Sequence, residues 1–429
     1  MRLRSLVTRA PRSPNEVSCG YSHVSTEIGN PKLMVGALAL IAFYLLRRHR
    51  WKRYYQIHEQ YEAKWKAGSL TPAEAQQIIH VGLGRDLVFA LKRAIGFALF
   101  KTYAIPSISK LLSSTQEHST REKVSKRYAD TEILIGTWLS CPVNGFLDPS
   151  KSSNERNPVK DPRVAIALAR TNYLHSRYKI SNDEYLYTLS LFVLEPPRWA
   201  DRFGWRSLSP MEKDAWYIFW KDIGLKMNIR DIPPNRQAMD AWSRAYEETY
   251  MLPSLTNHKV ASATLEELIY AVPAFLGLNA LVKRIIICLL EDRVRIAMMY
   301  SQPSLFLRTL VQGLMTSLWI VQRYFGVPPR NAPWVVDPKL PDGEVVFRPT
   351  IYKSVPWYKA EPTGPVSRFI ESLRVTLGLQ AVMPDPRYRS SGYRIEQLGP
   401  TRYENDGHDF VFQEAARISK CPIPSAWTP

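Results

Sequence analysis

The sequence predicts an all-α fold, because helical periodicity recurs along most of the chain and alternating strand patterns are almost absent. Signals for helix N-termini support this interpretation. Thr71, Ser181 and Ser209 are each followed three residues later by glutamate, which is the capping-box pattern. The 429 residues are 45% hydrophobic and 22% charged, a composition typical of globular proteins. We therefore expect a helical bundle. The chain is long enough for one large domain or two ordinary ones.

Residues 28–48 are predicted to form a single transmembrane anchor. Residues 33–46 carry no charge, and extension back to residue 28 brings the segment close to the ~20 residues that a span needs. A dense basic cluster follows at 47–53, so the positive-inside rule places residues 1–27 in the lumen and the body in the cytosol. A cleaved signal peptide and, because the first dozen residues are basic, a mitochondrial transit peptide are the alternatives.

The formal net charge of +18 favours polyanionic partners, either nucleic acid or the anionic cytoplasmic leaflet of a membrane. The basic residues are dispersed except for the cluster beside the apolar segment, and no nucleic-acid-reading motif is present. The membrane is therefore the predicted partner, and nucleic acid is not. The four cysteines lie far apart in sequence without a C-x-x-C pair, so structural zinc and iron–sulfur sites have no support.

The rest of the chain divides by composition into three regions. We expect a juxtamembrane helical region at 49–125, the main helical domain at 126–326, and an irregular Pro-rich C-terminal arm at 327–429. Two apolar segments, 276–290 and 305–325, are long enough to be considered as membrane spans. Basic and amide side chains interrupt both, so we interpret them as buried or surface-resting helices.

Residues 164–199 are the most informative stretch and read as two helices joined by a polar turn, the second expected to end at Pro196-Pro197. Thr171 and His175 share the apolar face of the first helix, with Arg170 adjacent. Burying such groups is costly unless each finds a partner. They are therefore either a satisfied core histidine with an arginine bound to carbonyls, or part of a functional site.

Common catalytic motifs are absent: there is no G-x-S-x-G, P-loop, H-E-x-x-H or kinase signature. Four of the eight histidines lie in the first 80 residues, which leaves His175, His258 and possibly His118 or His408 as metal ligands. An iron site with two histidines and a carboxylate is hard to build from so few. A single histidine is enough to hold a haem iron, and a bundle rich in aromatic residues can supply a dry pocket for it.

Several stretches, in this order and spacing over roughly residues 30–405, resemble the mpaB-type ER-bound oxygenases of fungal secondary metabolism, whose catalytic domain is similar to that of the rubber oxygenases. The stretches are F-A-L-F-K-T-Y-A-I-P-S-I-S-K-L-L (97–112), K-R-Y-A-D-T (126–131), A-R-T-N-Y-L-H-S-R-Y (169–178), D-E-Y-L-Y-T-L-S-L-F (183–192), E-D-R-V-R-I-A-M (291–298) and Y-R-I-E-Q-L-G-P (393–400).

The resemblance implies oxygen-dependent cleavage of an isoprenoid C=C bond. Rubber oxygenases perform this reaction with haem b and O₂ and release carbonyl products. The mpaB type shortens the farnesyl side chain of an aromatic intermediate that resides in the membrane. For this chain the resemblance implies a single-pass protein of the endoplasmic reticulum membrane, with haem b as cofactor and a lipophilic prenylated small molecule as substrate.

The resemblance also implies roles for particular residues. Arg170 and Thr171 would lie near the oxygen-binding side, with Arg170 polarising bound oxygen. In rubber oxygenases the axial histidine lies about thirty residues beyond the arginine, but the equivalent stretch here, Leu191–Asp201, has no histidine. We therefore expect His175 to bind the iron, with His258 as the second candidate. Glu195 and Glu291 are acid/base candidates, with structural ion pairing as the alternative.

Two functions of different classes follow. The first is a membrane-anchored haem oxygenase that acts on a prenylated lipophilic substrate. The second is a non-catalytic, membrane-tethered scaffold or lipid carrier that uses the same apolar bundle as a binding cavity. A nucleic-acid binder driven by charge alone is a weaker third possibility, since it would need strongly salt-dependent affinity and a reading motif.

Overall fold

The computed structural model describes residues 31–145, 160–272, 277–326, 332–340, 343 and 345–427. Within these ranges the all-α prediction is confirmed: there are fifteen α-helices and no strand, and the one β-bridge joins Phe347 and Tyr393. The helices are α1 (Pro31–Lys66), α2 (Pro72–Val81), α3 (Val88–Thr102), α4 (Pro106–Ser114), α5 (Arg121–Ser140), α6 (Arg163–Ser176), α7 (Asn182–Phe203), α8 (Pro210–Lys226), α9 (Arg236–Tyr250), α10 (Leu255–Leu268), α11 (Leu278–Leu289), α12 (Asp292–Ala297), α13 (Leu305–Phe325), α14 (Pro365–Thr376) and α15 (His408–Ser419).

The chain forms two compact units, residues 1–49 and residues 50–429. The described part of the first unit is helical and belongs to α1, and its apolar side chains are largely exposed, with Leu33 at 73% and Leu40 at 71%. Residues 28–30 of the predicted anchor and the predicted lumenal segment 1–27 lie outside the described residues. The membrane anchor therefore stays a prediction.

The core of the second unit is built around α7, which packs against α3, α8 and α9. Trp216, Phe219 and Trp220 of α8 and Tyr187 of α7 are completely buried. The rings of Phe192 and Trp220 stack with centroids 4.4 Å apart. Such large aromatic side chains bury 150–250 Å² each. They therefore supply much of the hydrophobic stabilisation of the bundle.

The predicted capping boxes form at the N-termini of α2, α7 and α8, where the side chains of Thr71, Ser181 and Ser209 each accept a hydrogen bond from the third helical N–H. The expected end of α7 at Pro196-Pro197 is wrong, because the helix continues to Phe203. Both prolines are buried, and α7 packs along α3. This tertiary packing outweighs the loss of two N–H donors.

The C-terminal region is part of the body and not an irregular arm. It contains α14 and α15, and α15 packs on α6, the helix that carries His175. Arg163 joins the two regions through hydrogen bonds to the carbonyl oxygens of Asp337 (2.7 Å) and Pro338 (2.8 Å). Such pairings between residues distant in sequence leave no periodic signal, so the pattern of prolines alone was misleading.

Candidate active site

An apolar cavity of about 290 Å³ lies between α4, α5, α6, α7 and α8. This volume is close to the lower end of the range of ligand-binding pockets. Three aromatic side chains form one wall: Trp220 stacks on Phe192 and meets the ring of Trp138 edge-on at 6.3 Å. A water molecule would find few hydrogen-bond partners on such a wall, so the cavity suits an apolar ligand.

Two neighbouring helices bring polar groups to this cavity. On α6, Thr171 and His175 are four residues apart and so share one face. On α5, Arg127 and Thr131 have the same spacing and also line the cavity. Since α5 packs against α6, the two pairs border the same space.

The imidazole of His175 is an unpartnered base in the cavity wall. Its Nδ1 atom is buried and has no hydrogen-bond partner, and its ring lies 5.5 Å from that of Tyr185. Burial, and then the charge of Arg127, lower the pKa of His175 to about 4. The ring is therefore neutral at physiological pH, which is the form that binds a metal.

Arg127 is the residue that the sequence reasoning missed as a site candidate. Its Nη1 atom donates a hydrogen bond to the hydroxyl of Tyr103 (3.2 Å), which also lines the cavity. The ring of Tyr103 meets that of buried His118 edge-on at 6.1 Å. Burial, followed by the charge of Arg127, lowers the pKa of His118 to about 3. The signal was present, because Arg127 falls within K-R-Y-A-D-T, a stretch on which the resemblance rested.

Lys126 and Asp130 also line the cavity, but their polar atoms are bound to each other and to the C-terminal region. Lys126 Nζ donates to Asp130 Oδ2 (2.8 Å) and to the carbonyl oxygen of Gly399 (2.7 Å). The hydroxyl of Tyr358 donates to Asp130 Oδ1 (2.5 Å). Both carboxylate oxygens of Asp130 therefore accept hydrogen bonds. We interpret Lys126 and Asp130 as structural residues that hold the Gly399 turn against the cavity.

The structure does not place Arg170 at the cavity, contrary to its predicted role as an oxygen-polarising residue. Its side chain is completely buried and donates to the carbonyl oxygens of Leu398 (2.7 Å), Tyr403 (2.6 Å) and Asp406 (2.8 Å). On a helix, consecutive residues point about 100° apart, so Arg170 turns toward the C-terminal region while Thr171 faces the cavity. The alternative interpretation, an arginine bound to nearby carbonyls, describes this geometry. The hydroxyl of Thr171 donates to the carbonyl oxygen of Ala167 (2.9 Å).

Glu195 and Glu291, the two acid/base candidates, meet away from the cavity in an ionic cluster around the buried Lys101. Nζ of the buried Lys101 lies 3.3 Å from Glu195, 3.0 Å from Glu247 and 3.1 Å from Glu291. Arg198 Nη1 also lies 2.8 Å from Glu195. Structural ion pairing is therefore the interpretation that the geometry supports for both glutamates.

The structure does not bring His258 together with His175. The His258 ring lies on the exposed side of α10, with Nδ1 3.0 Å from the carbonyl oxygen of Met298 and the ring against Tyr300. His408 is bound to the carbonyl oxygen of Glu404 (2.9 Å). Within the described ranges, no group of three histidine, cysteine or acidic side chains is arranged to hold a metal ion.

Comparisons with known proteins all find similarity to ER-bound oxygenases of the mpaB type. Residues 167–320 match the family described as "ER-bound oxygenase mpaB/B'/Rubber oxygenase, catalytic domain". The chain is 29% identical over 414 residues to "ER-bound oxygenase mpaB'" of Penicillium brevicompactum, covering 88% of this chain and 91% of that protein. It is 32% identical over 292 residues to "ER-bound oxygenase mpaB" of Penicillium roqueforti (strain FM164), covering 63% of this chain and 92% of that protein.

The chain belongs to this family. It is therefore an oxygenase. The matched region of this mpaB-type oxygenase begins within α6 and includes Thr171 and His175. Arg127 on α5 precedes the matched region, so the cavity is completed by residues outside it.

His175 is the residue of this oxygenase whose chemistry fits the iron of the haem that the resemblance implies. One neutral imidazole, His175, stands in an apolar wall, and one histidine is sufficient to hold a haem iron. Buried polar atoms are normally hydrogen-bonded, so the unpartnered Nδ1 atom of His175 indicates that this side chain binds a ligand. Arg127 supplies a cation on the neighbouring helix for an anionic group.

Proposed function

We propose that this oxygenase is held in the endoplasmic reticulum membrane by residues 28–48, with its N-terminus lumenal and its body cytosolic. There it uses O₂ and haem b to cleave a C=C bond in a prenylated lipophilic intermediate of secondary-metabolite biosynthesis. The observation that carries the proposal is the apolar cavity with His175 in its wall. The relatives' printed names, ER-bound oxygenases, support the location and the reaction class.

The cavity walls favour an isoprenoid chain as the part of the substrate that binds. Leu111, Leu134 and Leu189 contribute branched aliphatic surface from three different helices. Each CH₂ group that moves from water into such surroundings contributes ~0.8 kcal/mol. A prenylated molecule also partitions into lipid, so an anchored enzyme acts where its substrate is concentrated.

Haem, when bound, supplies the activation of O₂, and the chain's own residues position the reactants. His175 would hold the iron. Arg127 is in place to stabilise negative charge that develops on oxygen, and its hydrogen bond to Tyr103 restricts its orientation. The aromatic wall excludes water from the reacting double bond. One O₂ molecule then yields two carbonyl groups, one on each fragment of the cleaved bond.

Oxygen-isotope labelling tests this proposal. A farnesylated phenol is incubated with the full-length protein in lipid vesicles under ¹⁸O₂, and the products are analysed by mass spectrometry. We expect two carbonyl fragments that each carry one ¹⁸O atom before exchange with water. Recovery of the intact ligand would contradict the proposal and favour the non-catalytic carrier.

A further inference from the structure

Helix α13 (Leu305–Phe325) rests on the body with one side and leaves an apolar face uncovered on the other. Gln312 and Thr316 line a polar cavity of about 390 Å³ between α13 and the body, which also includes Arg202 and Asp292. The opposite face is exposed over its whole length. The exposed fractions are 78% for Phe306, 55% for Leu310, 49% for Leu314, 54% for Val321 and 68% for Phe325.

A surface helix of a soluble protein turns its apolar stripe toward the core, whereas α13 leaves most of its apolar side chains exposed. Only Val311 of the helix is buried. A contiguous apolar surface of this kind marks a site of contact with a membrane or another protein. Among the described residues, α13 is also the helix that is long and apolar enough to cross a membrane.

The body holds the C-terminal end of α13, and α11 packs against the helix, so α13 lies along the surface of the body. At the C-terminal end, Arg50 Nη2 donates to the carbonyl oxygen of Gln322 (2.6 Å), and Arg323 Nη1 donates to that of Trp205 (3.1 Å). Further along the helix, Gln312, Thr316 and Trp319 border the cavity between α13 and the body. A helix crossing the bilayer would have to leave these contacts.

Charge complementarity favours a lipid surface over a protein partner. Residues 305–325 contain no aspartate or glutamate but include Arg308 and Arg323, and the neighbouring helix α11 is also free of acidic residues. The chain as a whole carries +18. Basic residues near an anionic membrane surface strengthen binding to it. Arg50, which binds the end of α13, is the second residue after the predicted anchor in sequence.

We propose that α13 lies in the interfacial region of a bilayer that contains anionic lipids, with its Phe306–Phe325 face among the acyl chains. This is a membrane contact of the catalytic body itself, beyond the predicted anchor at 28–48. It goes beyond the proposed function, because it requires neither haem nor substrate. An amphipathic helix of this length and composition is suited to such a position.

Site-directed spin labelling of the full-length protein tests the proposal. Cys19 and Cys288 are replaced by serine, and a nitroxide is attached at Leu314→Cys or, as a second reporter on the same face, at Val321→Cys. The matched control is Arg244→Cys on α9, whose side chain is 66% exposed. Each labelled protein is reconstituted into phosphatidylcholine–phosphatidylserine vesicles. Collisions with O₂, which concentrates in acyl chains, are then compared with collisions with a water-soluble nickel chelate.

We expect the labels at 314 and 321 to collide severalfold more with O₂ than with the nickel chelate, and the label at 244 to show the opposite ratio. Ratios at 314 and 321 equal to that at 244 would overturn the proposal. So would labels that are shielded from both reagents and show dipolar broadening from a second copy of the chain. Circular dichroism shows that each variant is folded, and failure of the ¹⁸O₂ experiment leaves this result unaffected.

Discussion

His175 and Arg127 approach one cavity from adjacent helices, and the charge of Arg127 acts on the imidazole of His175. The positive charge of Arg127 adds to burial in lowering the pKa of His175, so the imidazole stays neutral beside a cation. A neutral imidazole nitrogen can bind iron, and a nearby guanidinium can stabilise an oxygen anion. His175 could be predicted from the sequence because histidines are scarce. Arg127 lies in K-R-Y-A-D-T, a stretch on which the resemblance rested, but only the structure shows that this arginine borders the same cavity as His175.

Substitution of the two arginines separates their roles. We expect Arg127→Gln to leave the fold intact, with a cost of about 1 kcal/mol for the lost bond to Tyr103, and to lower kcat by about 10²-fold. Arg170→Gln should instead cost about 3 kcal/mol of unfolding free energy, because buried carbonyl oxygens lose their donors. Urea unfolding and turnover assays measure both effects. A folded Arg170→Gln enzyme with a selective loss of kcat would restore the role predicted from the sequence.

His118 should make the protein sensitive to acid. Its pKa is lowered to about 3 in the folded state, against 6.5 in the unfolded chain, so between these values the unfolded state binds more protons. Stability is therefore lost as pH falls below about 6.5. At 1.36 kcal/mol per pKa unit, the loss between pH 7 and pH 5 is about 2 kcal/mol. We expect urea unfolding of His118→Phe to show a pH dependence smaller by that amount; an unchanged dependence would exclude this residue as the cause.

At the scale of elements, short sequence motifs predicted helix starts correctly, whereas features that depend on long-range contacts could not be predicted. The capping boxes at Thr71, Ser181 and Ser209 correctly fixed three helix starts, because a cap depends on four consecutive residues. The continuation of α7 past its prolines depends on packing against α3, which the sequence does not display. The C-terminal region likewise gains its order from Arg163 and Arg170, whose partners lie more than 170 residues away.

The turn at Gly399 connects the C-terminal region to the cavity and should be intolerant of a side chain. Its φ is +120°, and an added Cβ would lie 2.7 Å from Leu174 on α6. We expect Gly399→Ala to cost about 3 kcal/mol through backbone strain and overpacking. The control Gly378→Ala also has positive φ, +71°, but meets no atom within 4 Å, so it should cost about 1 kcal/mol. Equal shifts in Tm for the two variants would contradict this prediction, because they would show that the Leu174 side chain moves away from the added Cβ at no cost.

At the scale of the whole molecule, the proposals of a lipophilic substrate and of a membrane contact rest on the apolar cavity and on the exposed apolar face of α13 in an all-α body. The sequence predicted the fold class and the family, and family membership makes the chain an oxygenase. The orientation of α13 required the structure, since the same apolar residues could have been buried. Haem, the substrate and the anchor rest on the proposal, and the first of these is the easiest to measure.

The absorption spectrum of the detergent-solubilised full-length protein, together with its iron content, tests the central claim. We expect a Soret band and one haem iron per chain in the wild-type protein and in the control His258→Ala, whose ring lies away from the cavity. His175→Ala should remain folded by circular dichroism but lose both signals. Undiminished haem in His175→Ala, or full activity in wild-type protein without haem, would contradict the account.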